Sequence, residues 1–273
     1  MLPLIRRCHF DIALSLSQAG SFFTRFCAAP LWGDFFSIPP QTGRPVVQTC
    51  LAILQAIGIN GGSPQTEFWY DRSAEVAAAD FLTRLGYRGL EPLIAVHCGG
   101  HYFIRKRWPA VYFAELTRLV TRAGCRVILI GSGEDRETAA EVLAAAPWAS
   151  SAIGRLKLAE TAALIKQCQL LIGNDSGPLH LGAAMGVPTI GLFGPTHPRQ
   201  FYPYKAPAHR YLYKELTCSP CFQFGGGLWQ HVPRCSKAYC MYAIQPADVM
   251  ELVEEQIRFP AAGDIPVFQG DTL

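Results

Sequence analysis

The stretch 170–198, LLIGNDSGPLHLGAAMGVPTIGLFGPTHP, constrains the fold more than any other part of the chain. An apolar strand at Leu170–Ile172 runs into Gly173-Asn174-Asp175-Ser176-Gly177, a helix opens at Pro178, and a second apolar strand follows at Thr189–Phe193. Proline suits the first helical position because the N–H it lacks would have no helical partner. A Ser, Asp or Asn just before it can accept from another unpaired N–H of the first turn. Strand, loop, helix and strand in that order place the loop at the carboxyl end of a parallel sheet, where open α/β folds bind ligands. The unpaired N–H groups and the positive end of the helix dipole favour an anion there, and the glycines let a phosphate approach the backbone. A phosphorylated or hydroxyl-rich small molecule is the expected ligand.

The same alternation runs upstream. Leu93–His97 reads as a strand, and Ala110–Ala123 as a helix with an apolar stripe of Val111, Leu116, Leu119 and Val120. Arg126–Ile130 is the next strand, and Gly131-Ser132-Gly133 turns into a helix over Glu134–Ala146. A short strand at Ala152–Gly154 and a helix at Ala159–Gln167 lead into the signature strands, and Pro246–Arg258 forms a last helix. Repeated βαβ units imply an α/β fold, a parallel sheet with helices on both faces. Nearer the start, Phe10–Ser15 reads as a strand, and Gln48–Ile57 and Ser73–Leu85 as helices, with a Pro/Gly-rich loop over Ile38–Val46.

Composition narrows the classes. With 273 residues, 50% hydrophobic and 16% charged, the chain suits one large or two ordinary globular domains and is not mainly disordered. No apolar run reaches the ~20 residues of a membrane span, and Asp11 breaks the apolar run that a cleaved signal peptide would need. The formal charge of +3 is spread out, which makes no case for a nucleic-acid partner and leaves room for peripheral attraction to an anionic membrane surface. Of ten cysteines, Cys8, Cys27, Cys50, Cys98, Cys125 and Cys168 are isolated and read as small buried residues. Cys218, Cys221, Cys235 and Cys240 have C-x2-C-x13-C-x4-C spacing, which resembles a structural four-thiolate zinc site. Plain thiols in a loop beside Gly225-Gly226-Gly227, or disulfides, are the alternatives.

The D-S-G-x-x-H run of Asp175, Ser176, Gly177 and His180, then Ala183, Ala184, Pro188 and L-F-G-x-T-x-P over Leu192–Pro198, resemble the signature of glycosyltransferase family 9, the ADP-heptose:lipopolysaccharide heptosyltransferases. Lys106-Arg107-Trp108-Pro109, Cys218-Ser219-Pro220-Cys221, Cys240-Met241 and Ile244-Gln245-Pro246 fit the same pattern. The resemblance covers roughly Phe10 to Ile257 and implies a GT-B architecture of two Rossmann-like domains. On that scheme residues 1–90 are a partial N-terminal, acceptor-side domain, residues 91–258 the C-terminal nucleotide-sugar domain, and residues 259–273 a tail. The family's opening strand and Gly-Asp turn have no match before Phe10, so the N-terminal domain is expected to be truncated. Gly33-Asp34 has the right letters but follows no apolar strand, and it reads as a chance match. The family's carboxylate for deprotonating the acceptor would lie in the unmatched start, so the catalytic base is unassigned.

The resemblance implies inverting, metal-independent transfer of heptose from ADP-heptose to the lipopolysaccharide inner core, with no cofactor required. The enzyme would be cytoplasmic, in peripheral contact with the inner membrane. Such chemistry needs a stabilised leaving diphosphate, an oriented sugar and an activated hydroxyl. Lys106 is implied to hold the diphosphate, although its neighbours Arg105 and Arg107 also suit a solvated lysine. Asp175 can cap the helix, and the resemblance adds contact with the donor sugar's hydroxyls. Ser176 and Gly177 would offer a hydroxyl and a backbone N–H to the phosphates, Thr196 could reach the same phosphates or be a turn threonine, and His180 could contact the donor or pack in the core. Glu134 suits a ribose diol or simply a helix start. Gly99, in His97-Cys98-Gly99-Gly100-His101, permits close backbone approach although the run departs from the family's H-P-G-A. A Cys98 nucleophile served by His97 or His101 is disfavoured, because neighbours on a strand face opposite sides. The competing readings are a non-catalytic donor-binding remnant and another GT-B nucleotide-sugar enzyme.

Overall fold

The structure, a computed structural model, describes residues 10–15, 29–34, 44–100, 105–202, 204, 207–223, 230–231, 235 and 237–257. His101, Cys8, Cys27, Gly225–Gly227 and the expected tail lie outside the described residues. In chain order the elements are β1 (Ile12–Leu14), β2 (Leu31–Gly33), α1 (Val46–Ala56), α2 (Arg72–Arg84), β3 (Leu93–His97), α3 (Ala110–Arg122) and β4 (Arg126–Leu129). A 3-10 turn at Gly133–Asp135 leads into α4 (Arg136–Ala145), β5 (Ser150–Ser151), α5 (Leu158–Lys166), β6 (Leu170–Asn174) and α6 (Gly177–Ala184). Then come β7 (Thr189–Phe193), α7 (Pro198–Phe201), β8 (His209–Tyr213), β9 (Phe222–Gln223), β10 (Gln230–His231), α8 (Tyr239–Tyr242) and α9 (Pro246–Gln256).

Two compact units form. The smaller takes residues 1–65, 196–203 and 220–233. In it β1 and β2 pair in parallel, Ile12 opposite Leu31 and Leu14 opposite Gly33. Gly33 thus ends a strand, which corrects the expectation that nothing strand-like precedes Asp34. The sequence Leu31-Trp32-Gly33 is too short for an alternation to show. A Cβ on Gly33 would stand 2.9 Å from Ile57 Cγ2 and 3.1 Å from Ile53 Cγ2, so the strand lies close against α1 and the residue after it.

The larger unit takes residues 66–195, 204–219 and 234–273. Its sheet is wholly parallel, with strand order β5-β4-β3-β6-β7-β8. The first strand of the unit lies centrally and the order reverses between β3 and β6. β3, β6 and β7 are buried along their whole length, as strands covered on both faces must be, and so read as unbroken apolar runs. One face, with Ile94, Val96, Val127, Leu129 and Ile172, packs on Phe113, Leu116 and Val120 of α3 and Val249 and Val253 of α9. α6 lies on β6 and β7, α5 packs on α6, and α2 packs on α5.

Local chemistry sets these boundaries. Asp71 caps α2 by accepting from Ala74 N–H at 3.1 Å, and Pro109 precedes α3 with a φ of −56°, in the narrow range its ring allows. β8 was not foreseen: His209–Tyr213 is half-polar, as an edge strand can be. The short strand expected at Ala152–Gly154 lies two residues earlier, and Glu134 falls in the 3-10 turn instead of opening the helix.

Candidate functional site

The site is built at the carboxyl ends of β3 and β6, where the strand order reverses, the place where open parallel sheets leave a crevice. Asn174, the last residue of β6, is fully buried and clamps this junction. Its amide donates to Gly99 O at 2.6 Å, and its Oδ1 accepts from Trp108 N–H at 3.0 Å. Trp108 Nε1 donates in turn to Ile244 O at 2.9 Å. The Lys106–Pro109 and Ile244–Pro246 blocks, far apart in sequence, are therefore joined by one indole.

The clamp presents Lys106 to the loop after β6. Lys106 Nζ lies 2.6 Å from Asp175 Oδ2, with side chains 12% and 3% exposed. Asp175 Oδ1 is 3.6 Å from His180 Nε2, one turn into α6, and His180 Nδ1 is 3.0 Å from the Tyr204 hydroxyl. Burial raises the Tyr204 phenol, an effect that a hydrogen bond with Thr66 opposes in part. Lys106, Asp175 and His180 are thus brought together.

A second chain of contacts starts at His97, the last residue of β3 and almost wholly buried. Its Nδ1 is 2.9 Å from Ser176 Oγ, and its Nε2 is 3.8 Å from Asp135 Oδ2. Asp135 Oδ2 also accepts from Ser132 N–H at 2.9 Å and Ser132 Oγ at 3.2 Å. Burial pushes the Asp135 carboxyl up, but bonding and charge from His97, with the Ser132 bonds, outweigh it and hold the group below the usual carboxylate range. A Cβ at Gly99 would overlap the Asp135 carboxylate, and one at Gly131 would come within 2.6 Å of it. Both glycines make room for that acid. Cys98 faces the other side of the strand, into the core, and burial, reinforced by Asp135, pushes its thiol up to about 12. That state is no nucleophile near neutral pH.

These residues border a cavity of about 700 Å³ within the larger unit. His97, Arg107, Glu134, Asp135, Ser176, Gly177 and His180 supply polar lining; Phe68, Leu156, Leu158, Leu181 and Ala184 supply an apolar lining. Arg107 is oriented by Nε donating to Gly100 O at 2.8 Å and a terminal nitrogen donating to Thr138 Oγ1 at 3.2 Å. Glu134 is exposed at the cavity, whereas its neighbour Asp135 is buried. Lys106, Asp175 and Gly99 stand next to lining residues rather than among them, and Thr196 is buried in a segment of the smaller unit. Sequence reasoning missed Asp135, Asn174 and Arg107. The pairing of Asp135 with two small residues, Gly99 and Gly131, was the one signal available, and only the fold brings those positions together.

Two of the four clustered cysteines have opposite surroundings. Cys240 is buried in the core, where a Cβ on Gly194 would come within 2.7 Å of its sulfur, while Cys218 is exposed. Among the described residues, no three of His, Cys, Asp and Glu stand where they could share a metal ion. No described helix is long and apolar enough to cross a membrane.

Comparison with known proteins gives a consistent answer. The chain is 36% identical over 112 residues to lipopolysaccharide heptosyltransferase 2 of Salmonella typhimurium, covering 39% of this chain and 32% of that protein. It is 27% identical over 183 residues to lipooligosaccharide heptosyltransferase 2 of Campylobacter jejuni serotype O:2, covering 65% and 55%. The chain spans about a third of the length of the first of these relatives. Among solved structures, the glycosyl transferase family 9 protein of Veillonella parvula superposes with a TM-score of 0.72 at 21% identity, over 93% of this chain and 77% of that one. The ADP-heptose LPS heptosyltransferase II of E. coli gives 0.67 at 20%, over 93% and 78%. The fold is therefore of the GT-B type. Residues 23–226, most of the chain, match the model of glycosyltransferase family 9 (heptosyltransferase), and the chain belongs to that family.

Proposed function

We propose that the larger unit is the donor site of a transferase that moves heptose from ADP-heptose to the lipopolysaccharide inner core. The observation that carries this reading is the position of Lys106, Asp175 and His180 beside a cavity at the strand-order reversal, in a chain of this family. The acceptor oxygen would bond to the anomeric carbon as the carbon–oxygen bond to the diphosphate breaks. ADP leaves with the electron pair, the sugar is inverted, and the acceptor's proton passes to a base that is not assigned. Lys106 and the N-terminal end of α6 at Ser176-Gly177 supply positive charge where the leaving phosphates gain negative charge. Asp175, buried against Lys106 and His180, would accept from the donor sugar's hydroxyls. Glu134 would meet the ribose, and Gly99 would lie along the donor's path. None of these steps calls for a metal ion or another cofactor. A lipid-linked acceptor would put the protein at the cytoplasmic face of the inner membrane as a peripheral partner.

Calorimetric titration with ADP-heptose, ADP and UDP-GlcNAc tests the reading. Selective binding of the ADP ligands is expected, and Lys106→Ala or Asp175→Ala should weaken it about ten- to hundred-fold, the worth of a charge-assisted hydrogen bond. Wild-type affinity in both folded variants would sink the site assignment, and preference for the UDP-sugar would overturn the donor. Tight ADP-heptose binding without transfer to a lipopolysaccharide acceptor would favour a donor-binding protein that does not catalyse.

A further inference from the structure

We propose that His97 is a positioning residue for the phosphate end of this site: backed by Asp135, it donates from Nδ1 to Ser176 Oγ and so turns the serine's own hydrogen toward a phosphate oxygen of a nucleoside diphosphate. The proposal rests on the donor-site reading above. Its basis is a hydrogen count. Ser176 is the residue before α6, yet its hydroxyl makes no capping bond to that helix. Ser176 Oγ lies instead 2.9 Å from His97 Nδ1 and 3.2 Å from Asn174 O. The hydroxyl has one hydrogen, and a carbonyl can only accept. When Ser176 donates to Asn174 O, or to a ligand in its place, Nδ1 must carry the hydrogen of the His97–Ser176 bond.

On the other side of the ring stands a carboxylate, with Nε2 3.8 Å from Asp135 Oδ2. An Nε2 lone pair facing that oxygen would be repelled, so a hydrogen belongs there too. With both nitrogens as donors the ring would be an imidazolium, with the Asp135 carboxylate behind it as the opposite charge. A neutral ring would take the serine's hydrogen on Nδ1 and withdraw it from the ligand. Protonation of His97 thus decides whether Ser176 can donate to a phosphate.

The other ionisable groups around the ring do not substitute for this. Glu67, Glu134 and His180 line the same cavity, and Arg107 carries a permanent charge there. Cys98 points into the core with its thiol pushed up to about 12, and Lys106 is tied to Asp175 at 2.6 Å. Among the described residues lining the cavity, His180 is therefore the other imidazole to be separated from His97.

The experiment measures ADP and adenosine affinity by calorimetry between pH 5.5 and 8.5 for the wild type, His97→Asn, Ser176→Ala and His180→Gln. Asparagine at 97 keeps a donor near the Nδ1 position but has neither the charge nor the reach to Asp135. Wild-type ADP affinity should fall about ten-fold as pH rises through the imidazole range, in keeping with loss of one charge-assisted bond. His97→Asn and Ser176→Ala should both lose that component, His180→Gln should keep it whatever its absolute affinity, and adenosine affinity should not fall with pH in this way in the wild type. The ligand's own titration is common to every variant and cancels. An unaltered pH profile in His97→Asn, or equal losses for ADP and adenosine, would overturn the proposal alone. Failure of the wild type to bind ADP would overturn it together with the donor-site reading.

Discussion

Asn174 is the side chain on which the local geometry most depends. It is fully buried and satisfies Gly99 O and Trp108 N–H at once. Its replacement by alanine leaves both backbone groups without that partner, at a cost of about 2 kcal/mol. Urea unfolding should show the loss as a lower midpoint with an unchanged slope; a change within error would mean that neighbouring groups re-pair the backbone. Asp135 supports a different prediction. Its carboxyl titrates lower in the folded protein than the ~3.9 of an unfolded chain. The stabilisation is therefore complete above the unfolded value and is lost as pH falls through the folded one. Asp135→Asn should flatten the decline of stability below about pH 4 that the wild type shows, and an equally steep acid limb in the variant would refute the assignment.

The elements were read unevenly from the sequence, for physical reasons. β3, β6 and β7 announce themselves because strands buried on both faces must be continuous apolar runs. β8 does not, since an edge strand mixes His209, Arg210 and Tyr211 with apolar residues. The 3-10 turn at Gly133–Asp135 concealed the more buried acid: two adjacent carboxylates look alike until the turn exposes Glu134 and buries Asp135. Cysteine spacing carries no burial signal either: α8 takes Cys240 into the core while Cys218 stays at the surface. A chelator is expected to leave the thermal midpoint of purified protein unchanged, and a drop of several degrees with zinc release would establish the four-thiolate site.

At the scale of the molecule, the alternation of strand and helix from Leu93 onward correctly implied a parallel sheet with the signature loop at its carboxyl edge. What it could not show was which side chains meet there, since His97, Asp135 and Ser176 come from three separate crossovers. A ligand held by such a junction stabilises the folded state by mass action. At one hundred times its dissociation constant, ADP should add about 2.7 kcal/mol to the unfolding free energy. Denaturant melts with and without the nucleotide check this, and coincident curves at saturating ADP would contradict a donor site in the larger unit.

The glycine at 99 also orders the routes by which this site can change. A side chain there collides with the Asp135 carboxylate, so alanine or serine at 99 should be harmful in the present background and far better tolerated once Asp135 is shortened to alanine. The two positions form a sequence of steps with a preferred direction: the acid must go first. A lineage that has taken that first step is free to rebuild the turn after β3, and one that keeps the acid must first turn its carboxylate away from His97 and Ser132.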